Sequence, residues 1–363
     1  MNELGLLTLE SAKPLGERVN AVLQEWTGQN NIMIPVECPR FGSGEGKGII
    51  RESIRDKDIF ILVDVTNNSL TYRMDGALNR MSPDDHYQDL KRIITACNGM
   101  AKRITVIMPF LYEGRQHRKT QRESLDCALM LRELENMGVH SIITVDAHDP
   151  RMQNVIPLTG LESVSPALQF TQALLTDYED IQIDGDHLMF IAPDEGATGR
   201  VVFLASLYGV NIGMFYKRRD YTTIVNGMNP IIAHDFCGGS VSGKDCIVID
   251  DMISSGGSML DVSRQLKSMG AKRIFLFSTF GLFTNGFDKF DRAYENGEFD
   301  KVYTTNLIYQ KPGLLEKPWY GSVGMSRYIA AIIDTLHKGN SMLDLIKPAA
   351  RIREMLELYK AKS

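Results

Sequence analysis

Between Cys246 and Met259 the chain reads Cys-Ile-Val-Ile-Asp-Asp-Met-Ile-Ser-Ser-Gly-Gly-Ser-Met. Residues 246–249 are apolar and mostly β-branched, which suits a strand buried on both faces. Asp250 and Asp251 then fall at its carboxyl end, the edge at which open α/β sheets gather ligands. Ser254, Ser255, Gly256, Gly257 and Ser258 follow as a small-residue loop ahead of a helix expected over residues 259–268. Backbone N–H groups in such a loop can wrap a phosphate at a helix N-terminus. The acids repel that phosphate, but they can reach ribose hydroxyls while the amides hold it. The stretch is shaped for a sugar phosphate. A solvated strand-to-helix turn with a serine N-cap and no ligand is the alternative that the residues alone leave open.

Other chemistry-bearing residues also sit where strands should end. Lys217, Arg218 and Arg219 leave a strand expected over 212–216, and three adjacent cations are costly to hold together unless an anion arrives. They hint at a clamp for a charged transition state, against the plainer reading of an exposed charged hairpin. Arg115, Gln116, His117, Arg118 and Lys119, with Arg122 close behind, follow a strand over 103–108, as either a solvated basic face or a phosphate edge. His148 lies among Asp146, Asp149 and Pro150 after a strand over 141–145. Asp194 stands in an acid and small-residue turn after a strand over 187–191. Phe41-Gly42-Ser43-Gly44-Glu45 is a glycine bend that composition alone makes a hairpin tip.

The elements that must position these groups are legible from periodicity. Helices are expected over 13–26, 87–101, 124–137 and 326–338, with a further α/β pattern opening at 166–175. Strands are expected over 59–65, 274–280 and 302–308, and residues 66–88 read as polar loop. At 363 residues the chain is long enough for two domains. A boundary near 160 gives domains over 1–160 and 161–346 and a helical, charged extension over 347–363. With 44% hydrophobic and 23% charged residues and no long apolar run, the composition is that of a soluble protein with no membrane span. A net charge of −5 argues against nucleic acid as the main partner. The first residues show no secretion signal, and five scattered cysteines without CxxC spacing read as reduced core thiols, so a cytoplasmic protein is expected.

Taken together, the motifs resemble the ribose-phosphate diphosphokinase (phosphoribosyl diphosphate, PRPP, synthetase) family. The 246–259 stretch is similar to the PRPP signature of type I phosphoribosyltransferases, and its Asp-Asp-Met-Ile form to that of the synthetases. The resemblance covers roughly 35–346. It implies an α/β fold of two type I phosphoribosyltransferase-like domains, each a mostly parallel sheet flanked by helices. It further implies MgATP and ribose 5-phosphate as substrates, Mg²⁺ as cofactor and assembly into a homo-oligomer, dimer or hexamer, whose subunits share ATP sites. Carried over residue by residue, ATP falls to Phe41, Ser43, Glu45, Arg115, Gln116 and His117, and the metal to His148 and Asp194, with Asp146 in support. Catalysis falls to Lys217 and Arg219, and ribose 5-phosphate to Asp250, Asp251, Ser254, Ser255, Gly256, Gly257 and Ser258. The chain departs from the family pattern at Ser43, His117, Asp149 and Ser254, and its tail runs past the family's usual end. Two other readings stand beside synthesis of PRPP from ATP: a catalytically silent homologue that regulates active subunits, and a PRPP-consuming phosphoribosyltransferase, which would not need the Phe41 and Arg115-Gln116 elements.

Overall fold

The computed structural model describes residues 3–30, 32–219 and 231–362, and the side chains of 217–219 and 231–234 lie outside that description. The chain forms two compact units. The first comprises Met1–Pro166, Asn306–Tyr309 and Gly324–Lys347; the second comprises Ala167–Thr305, Gln310–Val323 and Pro348–Ser363.

In the first unit six strands lie in the order Gly160–Val164, Ser141–Val145, Arg103–Ile107, Asp58–Leu62, Leu4–Thr8, Met33–Ile34. Every pairing is parallel. Such sheets need cover on both faces, and Ile59, Phe60, Ile61 and Leu62 are accordingly all fully buried. Helix Lys13–Thr27 packs against helix Ser326–His337, which is why this late segment belongs with the early chain. A buried carboxylate fixes the join: Arg103 Nε donates to Asp58 Oδ1 at 2.8 Å, Arg103 Nη2 donates to the Leu336 carbonyl at 2.9 Å, and His337 Nδ1 lies 3.0 Å from Asp58 Oδ2. The Tyr309 N–H likewise donates to Asp64 Oδ2 at 2.7 Å.

Residues 66–88 are not a loop. They hold a hairpin, Thr71–Met74 against Ala77–Arg80, and the start of helix Pro83–Ala96. The polar residues that suggested a loop are the helix's cap. The Asp85 N–H donates to Ser82 Oγ at 3.2 Å, the Ser82 N–H donates to Asp85 Oδ2 at 2.8 Å, and Pro83 takes the first turn. Asn98 and Gly99, at φ 47° and 65°, turn the chain away before residue 101.

The second unit holds seven strands in the order Ile231–Gly238, Asn211–Arg219, Leu188–Ala192, Asp245–Ile253, Arg273–Gly281, Lys301–Thr305, Tyr320–Val323. All pairings are parallel except that of Asn211–Arg219 with Ile231–Gly238. The extra length of Asn211–Arg219 takes residues 217–219 into the strand rather than beyond it. The tail forms helix Ala349–Lys360, which packs on helices Ala167–Asp177 and Thr198–Tyr208 through buried Ile352 and Leu356. Tyr359 Oη ties it down, donating to the Tyr178 carbonyl at 2.9 Å and accepting from the Ile181 N–H at 3.0 Å. Cys97, Cys127 and Cys246 are buried thiols, Cys38 is half-buried, and Cys237 is exposed rather than in the core. Among the described residues no helix is long and apolar enough to cross a membrane.

Replacing fully buried Ile352 with Ala leaves a cavity under the tail helix and is expected to cost about 2–4 kcal/mol. A thermal melt of the variant that matches the parent would show that the tail adds nothing to the second unit's stability.

Candidate functional site

In the second unit the strand predicted over 246–249 runs from Asp245 to Ile253. Its end is held in the sheet by pairing of Asp250 with Ser278, Met252 with Phe280 and Ile253 with Gly281. Asp250 and Asp251 therefore lie within the strand, and its pleat sends them to opposite faces. Asp251 is buried and stands 3.9 Å from Arg200 Nη2. Asp250 is half-buried, and its Oδ1 accepts the Asp251 N–H at 2.9 Å. Burial first, and then the charges of Asp251 and Asp194, raise the Asp250 carboxyl far above the ordinary carboxylate range. Asp194 is there because Leu188–Ala192 pairs in parallel with this strand and ends two residues before it. Its side chain accepts the Gly196 N–H at 3.0 Å and so shapes the turn Glu195–Ala197 ahead of helix Thr198–Tyr208.

Ser254 and Ser255 lead to Gly256, and the helix opens at Gly257, two residues earlier than periodicity suggested, so Gly257 and Ser258 form its first turn. Gly256 has φ 80°, and a Cβ there would strike the ring of fully buried Phe290. Both facts require glycine. The Ser254 carbonyl accepts the Thr284 N–H at 2.9 Å, anchoring the loop to the neighbouring strand's exit. Asp250, Asp251, Asp194 and the 254–258 loop thus meet at one sheet edge. Lys217 and Arg219 lie at the end of strand Asn211–Arg219, and their side chains fall outside the described residues.

In the first unit two loops leave the carboxyl edge of adjacent strands, Arg103–Ile107 and Ser141–Val145. Each contains a non-glycine residue in left-handed conformation, Glu113 at φ 52° and Asp146 at φ 48°. Such backbone persists only where its surroundings hold it. Here the Asp146 N–H donates to the Val164 carbonyl at 2.8 Å and the Ala147 N–H to Ser163 Oγ at 2.9 Å. The loops bring His117 and His148 together, with ring centres 5.3 Å apart. His117 Nε2 lies 3.5 Å from Asp149 Oδ2. Hydrogen bonding by the Arg151 side chain holds the Asp149 carboxyl down at about 2. Gln116 is tied back, its Nε2 donating to the Ser124 carbonyl at 3.2 Å.

Phe41, Ser43 and Glu45 form a separate tip. The Phe41 N–H donates to the Glu45 carbonyl at 2.7 Å, Ser43 Oγ donates to Glu45 Oε2 at 2.9 Å, and Phe41 is 55% exposed. Its base is fixed by a buried pair, Arg40 Nη1 and Nη2 donating to the two Asp89 oxygens at 2.7 and 2.9 Å. A cavity of about 630 Å³ beside the tip is lined by Arg40, Phe41, Tyr72, His86 and Asp89 among others. Sequence reading missed Arg200, Phe290 and the Arg40–Asp89 pair, since each acts across a distance in sequence that no local pattern marks. Among the described residues no three His, Cys, Asp or Glu side chains are grouped so as to hold a metal ion by themselves.

Parallel sheets with an acidic strand end and a glycine turn at the carboxyl edge define a phosphoribosyltransferase-like α/β protein. The N-terminal domain of ribose phosphate pyrophosphokinase matches residues 4–138, and the phosphoribosyl synthetase-associated domain matches 229–347. The ribose-phosphate pyrophosphokinase of Ralstonia nicotianae is 30% identical over 316 residues, covering 84% of this chain and 88% of that protein. Ribose-phosphate pyrophosphokinase 4 of Saccharomyces cerevisiae is 25% identical over 346 residues, covering 94% of each. A crystal structure of phosphoribosylpyrophosphate synthetase from Mycobacterium smegmatis shares the fold, with a TM-score of 0.75 at 22% identity over 93% of this chain and all of that one. The chain belongs to the ribose-phosphate pyrophosphokinase family, and it is an enzyme of that class.

Two outcomes follow from the second unit's edge. Gly256→Ala forces a side chain into left-handed backbone and against Phe290, and a loss on the order of 2 kcal/mol in denaturant unfolding is expected. The raised Asp250 carboxyl gives the folded state the higher proton affinity, so its contribution is present below the unfolded value near 4 and is lost as pH rises through the folded value of about 8. Asp250→Asn should therefore raise the melting temperature in metal-free buffer at pH 8 more than at pH 4; equal shifts would show that charge crowding is not the cause.

Proposed function

We propose that the protein transfers the diphosphoryl group of ATP to the 1-hydroxyl of ribose 5-phosphate, giving PRPP and AMP. The observation that carries the reading is the edge of strand Asp245–Ile253, where two carboxylates on opposite faces precede a glycine-dependent turn into a helix. Backbone N–H groups of the 254–258 loop take the 5-phosphate, and Asp250 and Asp251 accept from ribose hydroxyls. The sugar oxygen attacks the β-phosphorus in line, the bond from that phosphorus to the α,β-bridging oxygen breaks, and AMP leaves with it. The hydroxyl proton passes to solvent or to Asp250 or Asp251.

Phe41, Ser43 and Glu45 receive the base, and Arg115, Gln116 and His117 the rest of the nucleotide. The exposure of Phe41 suits a homo-oligomer in which the tip from one copy completes the ATP site of another. Lys217 and Arg219 neutralise charge developing on the transferred group. The residues present fit Mg²⁺: carboxylate oxygens crowd about Asp194, and with no complete protein cage among the described residues, phosphate oxygens and water would fill the remaining positions. His148 in the first unit and Asp194 in the second are each residues that would hold such an ion, and when bound it would neutralise phosphate charge.

The test is AMP release from MgATP with and without ribose 5-phosphate, with the product identified by mass. Ribose-5-phosphate-dependent AMP and PRPP are expected. Lys217→Ala should cut kcat by about 10²–10³ with an unchanged melting temperature. An undiminished rate would remove Lys217 from the mechanism, and absence of AMP across several nucleotides would favour a regulatory homologue.

A further inference from the structure

His117 and His148 come from different loops yet face one another as a tilted pair, with ring centres 5.3 Å apart and planes at 54°. The His117 side chain is 13% exposed, and its two nitrogens differ. Nε2 faces the Asp149 carboxylate at 3.5 Å, and that carboxylate is fixed in turn by the Arg151 backbone N–H and Nε, each at 2.9 Å. Nδ1 is buried with no hydrogen-bond partner among the described residues. A buried ring nitrogen left unsatisfied works against folding, and a bound partner relieves it. A carboxylate on one imidazole nitrogen with the other held ready is the arrangement that orients a metal-ligating histidine. Two imidazoles bound to one metal ion at about 2.1 Å per nitrogen place their ring centres roughly 5 Å apart.

We propose that His117 is a second nitrogen ligand, beside His148, for the divalent cation of the nucleotide, and that the pair makes the site prefer a first-row transition ion such as Mn²⁺ to Mg²⁺. This rests on the reading that His148 holds that cation. Imidazole suits transition metals, whereas Mg²⁺ favours oxygen and keeps its waters. Two nitrogens leave the remaining positions to phosphate oxygens and water. The arrangement needs no third protein ligand.

The experiment uses the full chain loaded with Mn²⁺, alone and with the ATP analogue carrying a methylene bridge between the α and β phosphorus atoms. Electron spin-echo modulation from ¹⁴N counts the bound nitrogens, and the free Mn²⁺ signal gives the affinity. The parent should show two directly bound nitrogens, and H117D and H117Q should each show one. In both variants the preference for Mn²⁺ over Mg²⁺ should fall at least tenfold. H117Q, close in size to imidazole, guards against a fold defect in H117D, and a thermal melt checks both. A parent with one bound nitrogen or none, or variants whose modulation matches the parent's, would overturn the proposal. Ribose-5-phosphate-dependent AMP release by the parent with Mg²⁺ judges the proposed reaction separately, so a failure of nitrogen ligation and a failure of the reaction are told apart.

Discussion

In each unit the main sheet's central strands run parallel, and this constraint places all the candidate residues except those of the Phe41 tip, which lies between antiparallel strands. Parallel strands all end at the same edge, so residues far apart in sequence meet there without any direct selection of loops to join them. In the second unit that edge holds Asp194, Asp250 and Asp251 close enough for their charges to act on one another. Crowded carboxylates in a half-buried setting work against folding unless something positive or a proton relieves them. The sheet supports them through strand pairing as far as Ile253 and Gly281, through Arg200 beside Asp251, and through Phe290 filling the space behind Gly256. Strand pairing and the packing of Phe290 hold the geometry, and Arg200 offsets part of the crowded charge.

The first unit uses the same edge differently. Its loops set two imidazoles beside the Asp149 carboxylate, and its backbone carries the strain, at Glu113 and Asp146. The Phe41 tip is stabilised at its root and not at its end. Arg40, Arg92 and Asp89 form a compact buried cluster, with Arg92 Nη1 donating to Asp89 Oδ1 at 2.7 Å, while Phe41 stands out into solvent. Removing one member of such a pair strands a buried charge at a cost of about 3–5 kcal/mol. A rigid root and an exposed aromatic end suit a surface that contacts something beyond its own unit.

Strand interiors were legible in the sequence because parallel sheets bury continuous apolar runs, as residues 59–62 and 246–249 show. Strand ends were less so. Asp250 and Asp251 are polar, and a pattern read by hydropathy stops at Ile249, although the ladder continues to Ile253. The cap of helix Pro83–Ala96 was missed for the same reason, since Ser82, Asp84 and Asp85 read as loop until their hydrogen bonds are seen. Motifs at strand ends could be placed because each is short and contiguous. The partners that hold them could not: Asp89 lies 49 positions from Arg40, and the carboxylate that receives Tyr309 lies 245 positions away. No periodicity reaches that far. The return of Gly324–Lys347 to the first unit rests on Asp58 meeting His337, which is equally silent in sequence.

The departures from the family pattern take on a different character once they are placed in space. His117 and Asp149 are two of them, and they are neighbours, 3.5 Å apart. A histidine in place of an acid would by itself leave a buried imidazole among cationic residues, with Arg115, Arg118 and Lys119 close in sequence. Asp149 returns the missing negative charge from the adjoining loop, and Arg151 keeps it ionised. Ser43 shows a smaller version of the same adjustment, since its hydroxyl donates to Glu45 and so keeps a carboxylate oriented at the tip. Changes that compensate one another in charge and hydrogen bonding keep the local geometry while altering the atoms it presents. On the ligation proposed for His117, a borderline nitrogen stands where the resemblance places a carboxylate, an exchange that would act first on the choice of metal ion.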